Sequence, residues 1–384
     1  MMKPGWKTAR LKDVSTVVGG STPKTDIPEY WGGDNYWVAP AELDGSKFIS
    51  STVKRITNLA ISKTNLTLLP QGTVLLSSRA PIGKVAITTV PMYCNQGFKN
   101  IVCGPELFNG YVYYFLKHNV NYLQSLGTGA TFKEISKKVV ENVSISYPSL
   151  AEQQRIVDEL DLLTSIIDKK NAQLRDLDAL AQSIFYEMFG DSITNDKGWP
   201  KKMLKELGEV ITGNTPSTKD VRNYATEDVC FFKPSDIGKE GVTALHKSEF
   251  HISTYAFENS RKLPIGSILT TCIGIVGKVG ILTKEATCNQ QINAIIPEKV
   301  DSLYLAYAIL SQKDLLEKMA NAPVVPIINK GNFSKIKITI PPLDLQHAFA
   351  AKIEAIEQQK ALIKQSLQET QTLLASRMDH YFSD

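Results

Sequence analysis

Two amide pairs are the first residues in this sequence with the chemistry of recognition. Asn95-Gln96 follow Cys94, and Asn289-Gln290 follow Cys288. A carboxamide sets a donor beside an acceptor, so it pairs bidentately with the N6/N7 edge of adenine. Cations suited to phosphates or guanine edges lie around both pairs: Lys24, Arg79, Lys84 and Lys99 first, then Lys219, Arg222, Lys233 and Lys278. With Gln96 and Gln290 they form the candidate nucleic-acid contacts. Lys84 in Gly83-Lys84-Val85 and Lys278 in Gly277-Lys278-Val279 each precede a strand, to hold a phosphate or simply to be solvated. Residues common to both halves suit building the fold or holding backbone. Arg79, Lys99, Arg222 and Lys233 differ between halves, as readers of different sequences should.

Catalytic patterns are missing. Gly274 to Gly280 lacks the four-residue spacing and the Ser/Thr of a Walker loop, and Gly127 to Phe132 lacks the third glycine of a dinucleotide fingerprint. The five histidines form no H-x-x-x-H pair, and no G-x-S-x-G elbow occurs. An N-P-P-Y-type loop for amino methylation is absent, and Pro234-Ser-Asp236 with Lys239 is a chance-level fragment of a nuclease carboxylate set. Five cysteines without a C-x-x-C fit reduced thiols better than a disulfide framework or zinc site. The expectation is a binding protein with no catalytic residues, metal or cofactor of its own.

The elements that must position these residues come in two copies. Gly5 to Thr25 returns as Gly198 to Thr218, Leu69 to Gln96 as Leu263 to Gln290, and Ile145 to Gln154 as Ile338 to His347. The shift is 193 or 194 residues, about half of the 384, so this is a duplication rather than a short-period solenoid. Residues 1–148 and 191–342 carry β-branched runs such as TVLLSS, KVAITTV, KNIVC and NVSISYP between turn signals, with helices expected at Gly110 to Leu126 and Asp301 to Ala320.

Residues 149–190 and 343–384 read as two long helices. In the first, Ile156, Leu160, Leu163, Ile167, Lys170, Leu174, Leu177, Ala181, Ile184 and Met188 follow a 4-3 spacing. The same shift gives Phe349, Ile353, Ile356, Lys360, Ile363, Leu367, Thr370, Leu374, Arg377 and Tyr381 in the second. A 3.5-residue apolar period is the mark of a coiled-coil seam. Ser149-x-x-Glu152 offers a capping box, and Gly190 a C-terminal stop.

Charge divides along the same lines. The whole chain carries only +4, too little to name a partner. The two helical segments hold 8 basic and 14 acidic residues, which leaves +10 on the globular segments, +7 of it in residues 1–148. Basic modules on an acidic helical spacer suit a nucleic-acid reader. No apolar run of 18 residues predicts a membrane span, and the N-terminus lacks a signal core, so a cytoplasmic protein without membrane partners is expected.

In order, the G-x-T-P turn, the P-x-G-x-(I/V)-L stretch with its G-K-V, the C-N-Q element and the P-S-L or P-P-L before each helix occur twice. Over nearly its whole length the chain thereby resembles DNA-specificity subunits of type I restriction–modification systems. The second copy departs at Asp344-Leu345-Gln346-His347. The resemblance implies a mixed α/β (α+β) protein: target-recognition domains at 1–148 and 191–342, separated by long antiparallel coiled-coil helices at 149–190 and 343–384. It also implies double-stranded DNA with a split, asymmetric site as ligand. Two methyltransferase subunits would dock on the helices, whose coiled-coil seam and partner-docking residues are Ile156, Leu160, Leu163, Ile167, Leu174, Leu177, Ile353, Ile356, Ile363, Leu367 and Leu374, and restriction motor subunits would join them. S-adenosylmethionine, ATP and magnesium are then expected only on those partners. A stand-alone DNA-modifying enzyme and a coiled-coil scaffold without a DNA role are the competing classes.

Overall fold

The structure, a computed structural model, describes residues 5–79, 81–129, 133–320 and 326–383. The end of the Gly127 to Phe132 turn falls outside the described residues.

The first copy supplies β1 (Lys7–Arg10), β2 (Ser15–Gly19), β3 (Trp31–Val38), β4 (Phe48–Ile49), β5 (Arg55–Ile56), β6 (Val74–Leu76), β7 (Val85–Thr88), β8 (Tyr93–Cys94), β9 (Lys99–Cys103) and β10 (Ser144–Tyr147). The second supplies β11 (Lys201–Met203), β12 (Gly208–Thr212), β13 (Val229–Phe232), β14 (Val242–Leu245), β15 (Phe250–Ile252), β16 (Ile268–Thr271), β17 (Val279–Leu282), β18 (Thr287–Cys288), β19 (Ile292–Pro297) and β20 (Lys337–Thr339).

Each copy builds a five-stranded sheet, a three-stranded sheet and a two-stranded ribbon. The orders are β2-β9-β6-β7-β4, β5-β3-β8 and β1-β10; the second copy repeats them as β12-β19-β16-β17-β14, β15-β13-β18 and β11-β20. The ribbon closes each module, because its first strand pairs antiparallel with the strand leading into the long helix, Thr8 opposite Ser146 and Lys202 opposite Ile338. The central strands are buried along their length, Val74 to Leu76 in one copy and Ile268 to Thr271 in the other. That explains why neither strand alternates strictly: Val74-Leu75-Leu76 is apolar throughout, and Ile268-Leu269 is followed by buried Thr270 and Thr271.

Both predicted helices within the modules are broken. Gly110 to Leu126 is two helices, Asn109–His118 and Val120–Ser125, and the second copy has Ser302–Leu310 and Lys313–Met319. Asn119 takes φ −89°, ψ 19°, and its amide donates to the Phe115 carbonyl at 2.9 Å. A side chain that caps its own turn competes with continued helix.

The long helices run Leu150–Phe189 and Leu343–Phe382. Their ends are set as the sequence reads: Ser149 Oγ accepts from Glu152 N at 3.4 Å, and Gly190 stops the first helix at φ +75°, where an L side chain would be strained. The reciprocal half of a capping box is replaced, since Glu152 pairs with Arg155 instead.

Two compact units form, and they do not follow the four segments. One comprises residues 1–168 with 367–384, the other 169–366. Each therefore contains one module, part of the first long helix and the antiparallel part of the second. In the first unit Arg377 bonds Glu159, and Tyr381 Oη donates to the same carboxylate at 2.7 Å while Arg155 reaches Tyr381 at 3.3 Å. In the other, Lys360 Nζ holds Asp178 at 2.7 Å and Glu357 at 2.6 Å, and Lys170 Nζ bonds Ser366 Oγ at 2.6 Å. The polar lapses at Lys170, Lys360 and Arg377 are thus cross-helix partners.

Ile156, Leu160, Leu163, Ile353 and Ile356 are buried, and Ile167, Leu174, Leu177, Ile363, Leu367 and Leu374 are half-buried. Near the end of the first helix the buried face moves from the expected Ile184 and Met188 to Phe185 and Phe189. There the helix leaves the seam for its module's core. Phe349 packs between their rings with centroids 5.5 and 5.3 Å away, and Tyr307 lies at 5.3 Å.

Candidate nucleic-acid interface

The two short motifs of each module meet, although about 75 residues separate them. Ser21 N donates to the Cys94 carbonyl at 2.9 Å, and Asn214 N to that of Cys288 at 2.9 Å. A Cβ on Gly20 would collide with the Asn95 carbonyl oxygen, and one on Gly213 with that of Asn289, so only glycine admits this approach. The turn threonine then bonds the exposed glutamine: Thr22 Oγ1 to Gln96 Oε1, and Thr215 Oγ1 to Gln290 Oε1 at 2.5 Å. That bond holds one lone pair of each amide oxygen. The amide nitrogen and the second lone pair are left for a ligand, the pair an adenine edge requires.

Beside this joint the modules diverge. In the first, Gly97 follows the amide pair and half-buried Arg79 stands next to it. In the second, Gln291 follows and bonds Asn289 at 2.9 Å, while the strand positions that hold Arg79 and Lys99 carry Ile273 and Asn293. The strand pairing gives the correspondence, since Gly19 faces Lys99 and Thr212 faces Asn293.

Of the ten predicted contacts, Gln96, Gln290 and Arg79 lie at these joints, and the other seven fall into three groups. Lys24 and Lys219 are exposed on the polar loop after each turn, two residues beyond Thr22 and four beyond Thr215. Arg222 and Lys233 sit on aromatic rings of the second module. Arg222 is bidentate to Asp220 at 2.9 and 2.7 Å and lies 4.5 Å from the Tyr255 ring centre, and Lys233 Nζ is 3.0 Å from that of Phe250.

The third group corrects the expectation. Lys84 Nζ donates to the carbonyls of Pro40 at 3.1 Å and Leu43 at 2.8 Å. Lys278 Nζ makes the matching bonds to Pro234 at 2.9 Å and Ile237 at 2.7 Å, and only 7% of the residue is exposed. Burial, with Lys239 nearby, pushes the Lys278 amine down from its ordinary value. These amines fasten the short turns Pro40–Glu42 and Pro234–Asp236 to the sheet and are spent on backbone rather than phosphate. Lys99 is likewise turned inward, bonding Ser78 Oγ and Glu134 at 3.2 Å each.

Sequence reasoning also missed residues. Thr22 and Thr215 read as parts of a turn, not as partners of the glutamines; the joint recurrence of both motifs was the available signal. Gln153 and Gln346 are fully buried, each accepting from a module backbone N–H, of Phe108 at 2.8 Å and Asp301 at 2.9 Å. The second copy keeps this residue within its divergent Asp344 to His347 stretch. Among the described residues no His/Cys/Asp/Glu group is arranged to hold a metal ion, and no helix is long and apolar enough to cross a membrane. All five cysteines are free thiols.

Fold and site together define a duplicated two-module protein whose like-built joints carry unlike neighbours. Comparison with known proteins supplies the family. Residues 3–176 and 196–372 match the type I restriction modification DNA specificity domain, and the chain belongs to that family. It is 36% identical over 235 residues to the MjaIX specificity subunit of Methanocaldococcus jannaschii, covering 56% of this chain and 54% of that protein. The HindI specificity subunit of Haemophilus influenzae is 30% identical over 42% of this chain and 36% of its own length. The chain thus spans about half or less of these two relatives. The MjaVIII subunit of M. jannaschii matches at 25% identity over 92% of this chain and 86% of its own. The same fold occurs in the crystal structure of a type I restriction–modification S subunit from M. genitalium, with TM-score 0.58 and 14% identity over 99% and 96% of the two chains. A structure from work on complex assembly and conformational transition of the type I system gives TM-score 0.63 and 20% identity over 100% and 98%.

Proposed function

We propose that this chain is the non-catalytic DNA-reading subunit of a type I restriction–modification complex, each module reading one half of a split, asymmetric site. The observation that carries this is the pair of Thr–Gln joints: identical in construction, they present an amide to solvent in both modules, yet Arg79 and Gly97 flank one while Ile273 and Gln291 flank the other. Shared parts hold the reading head and unlike neighbours set the sequence it accepts. Lys24, Arg79, Gln96, Lys219, Arg222, Lys233 and Gln290 are the proposed DNA contacts.

The helical segments, with 8 basic against 14 acidic residues, are net acidic and serve as the docking surface for two methyltransferase subunits, with the restriction motor joining that core. At 1.5 Å rise per residue a 40-residue helix is ~60 Å long, so helix length sets the unread spacer between half-sites. Adenine methylation and ATP-driven cleavage, with S-adenosylmethionine, ATP and magnesium, belong to those partners, in the cytoplasm.

Mapping methylated adenines genome-wide, in cells carrying this chain with its partners, tests the reading. A single split motif with two unlike halves is expected, and exchange of residues 1–148 should alter one half only. Methyl transfer by the chain alone would point instead to an enzyme in its own right. Sequence-independent retention at every salt concentration would remove the specific reader altogether.

A further inference from the structure

Among the described residues, the second module has a basic cleft whose lining its twin does not reproduce. It is about 700 Å³ in volume and is lined by Arg261, Lys262 and Lys330 against a single anion, Glu209. Its floor is β12, the edge strand of the five-stranded sheet, where Ile211 and Thr212 face it. Arg261 is pinned there: its guanidinium donates to the Thr212 carbonyl, its N–H reaches Asn214 Oδ1 at 3.3 Å, and its carbonyl accepts from Thr287 Oγ1 at 3.0 Å. Asn214 lies in the same Gly213-x-Thr215-Pro216 turn that holds Gln290, so cleft and amide are contiguous. Lys262 pairs with Glu258 across solvent, with 40% and 59% of the two side chains exposed, an ion pair that exchanges readily for another anion.

In the first module the sheet pairing of Leu69 with Met92, matching Leu263 with Ala286, places Thr67 and Leu68 where Arg261 and Lys262 stand. The counterpart of Lys330 there is Lys137, which is paired with Glu141.

We infer that this cleft binds a phosphodiester of the DNA strand next to the base read by Gln290. The inference rests on the DNA-reading function proposed above. Three cations around an open cleft beside an outward amide supply the usual division of labour, backbone contacts fixing register while the amide reads the base.

The test is the salt dependence of split-site DNA binding by the full chain assembled with its partner subunits. K262A/K330A removes two exposed amines and leaves Arg261 in its anchoring role. The slope of log affinity against log salt should become shallower by about 0.9, the value for one phosphate, with affinity lower by about tenfold at low salt and the specific-to-random ratio unchanged. K262R/K330R should keep the wild-type slope, and K137A in the first module should leave it unaltered. An unchanged slope for K262A/K330A overturns the phosphate assignment, and loss of subunit assembly at unchanged slope gives the cleft to a protein partner. Failure of the wild-type complex to select any split site defeats the functional reading itself, and the cleft assignment with it.

Discussion

Lys278→Met separates a structural lysine from a phosphate ligand. The substitution keeps the apolar stem and removes the amine, so the sheet packing around residue 278 survives. Two hydrogen bonds from a charged donor disappear, at 2.9 and 2.7 Å. Such bonds contribute ~1.5–3 kcal/mol each. Against them stands the cost of holding an ammonium group at 7% exposure, the burial that also lowers its pKa. The orphaned Pro234 and Ile237 carbonyls regain only part of their solvation. The net expectation is a loss of ~2–3 kcal/mol, a large share of the stability of one unit. Lys84→Met in the other module, with the same two-carbonyl geometry, should behave alike. Urea denaturation of the free chain gives the stability change, and DNA binding across a salt series gives the number of phosphates neutralised. Reduced stability with an unchanged salt slope is the expected result. A slope lower by about 0.9 with undiminished stability would show that the amine meets phosphate and that the internal bonds are incidental.

Three further outcomes follow from the packing. Phe349→Ala, which empties a site fully enclosed by Phe185, Phe189 and Tyr307, should cost ~3–5 kcal/mol in a denaturant titration, and a cost under ~1 kcal/mol would mean that the helix ends are not seated in the module core. Glu159, bonded by Arg377 and then by Tyr381, has its carboxyl held down at about 2 against an ordinary 4.5. Its folded pKa lies below the unfolded one, so its stabilisation is complete above pH ~4.5 and fades as pH falls toward 2; partial exposure limits it to ~1–2 kcal/mol. Glu159→Gln should flatten that acid limb of a stability–pH curve, and an unaltered limb would count against the pair. Burial pushes the thiols of Cys94 and Cys288 up to about 12, so a disulfide reagent at pH ~8 should modify them only as fast as the chain opens; immediate reaction in native buffer would contradict their enclosure.

The parts of this protein that the sequence discloses are those governed by period and repetition. A 3.5-residue seam and a shift of 193 or 194 residues are visible without coordinates, and the strand order of the second module is the first with every strand number advanced by ten. The helix break at Asn119 was not legible, because a capping amide and a helix-interior amide have the same letter. Nor was the move of the buried face to Phe185 and Phe189, since the seam pattern continues through Ile184 and Met188 and only the module core decides which face is covered.

The lysines show why the candidate site was the less legible part. In sequence, Lys84 and Lys278, each after a glycine and before a strand, read equally as phosphate ligands or as solvated side chains. Repetition, however, marks what both modules need in common, and both need the turn between their sheets fastened. A buried carbonyl pair finds its donor wherever the fold brings one, and here it is 41 to 44 residues away in sequence. The residues open to DNA are therefore found by subtraction. Once Lys84, Lys278 and Lys99, whose amines are spent on backbone and internal partners, are set aside, Lys24, Arg79, Lys219, Arg222 and Lys233 remain of the expected cations, joined by the cleft at Arg261, Lys262 and Lys330. The three cations of that cleft, where the twin module has Thr67, Leu68 and a paired Lys137, would hold backbone in one module only, so the unlike sequences of the half-sites must be set by the unlike neighbours of the two glutamines, Arg79 and Gly97 against Ile273 and Gln291.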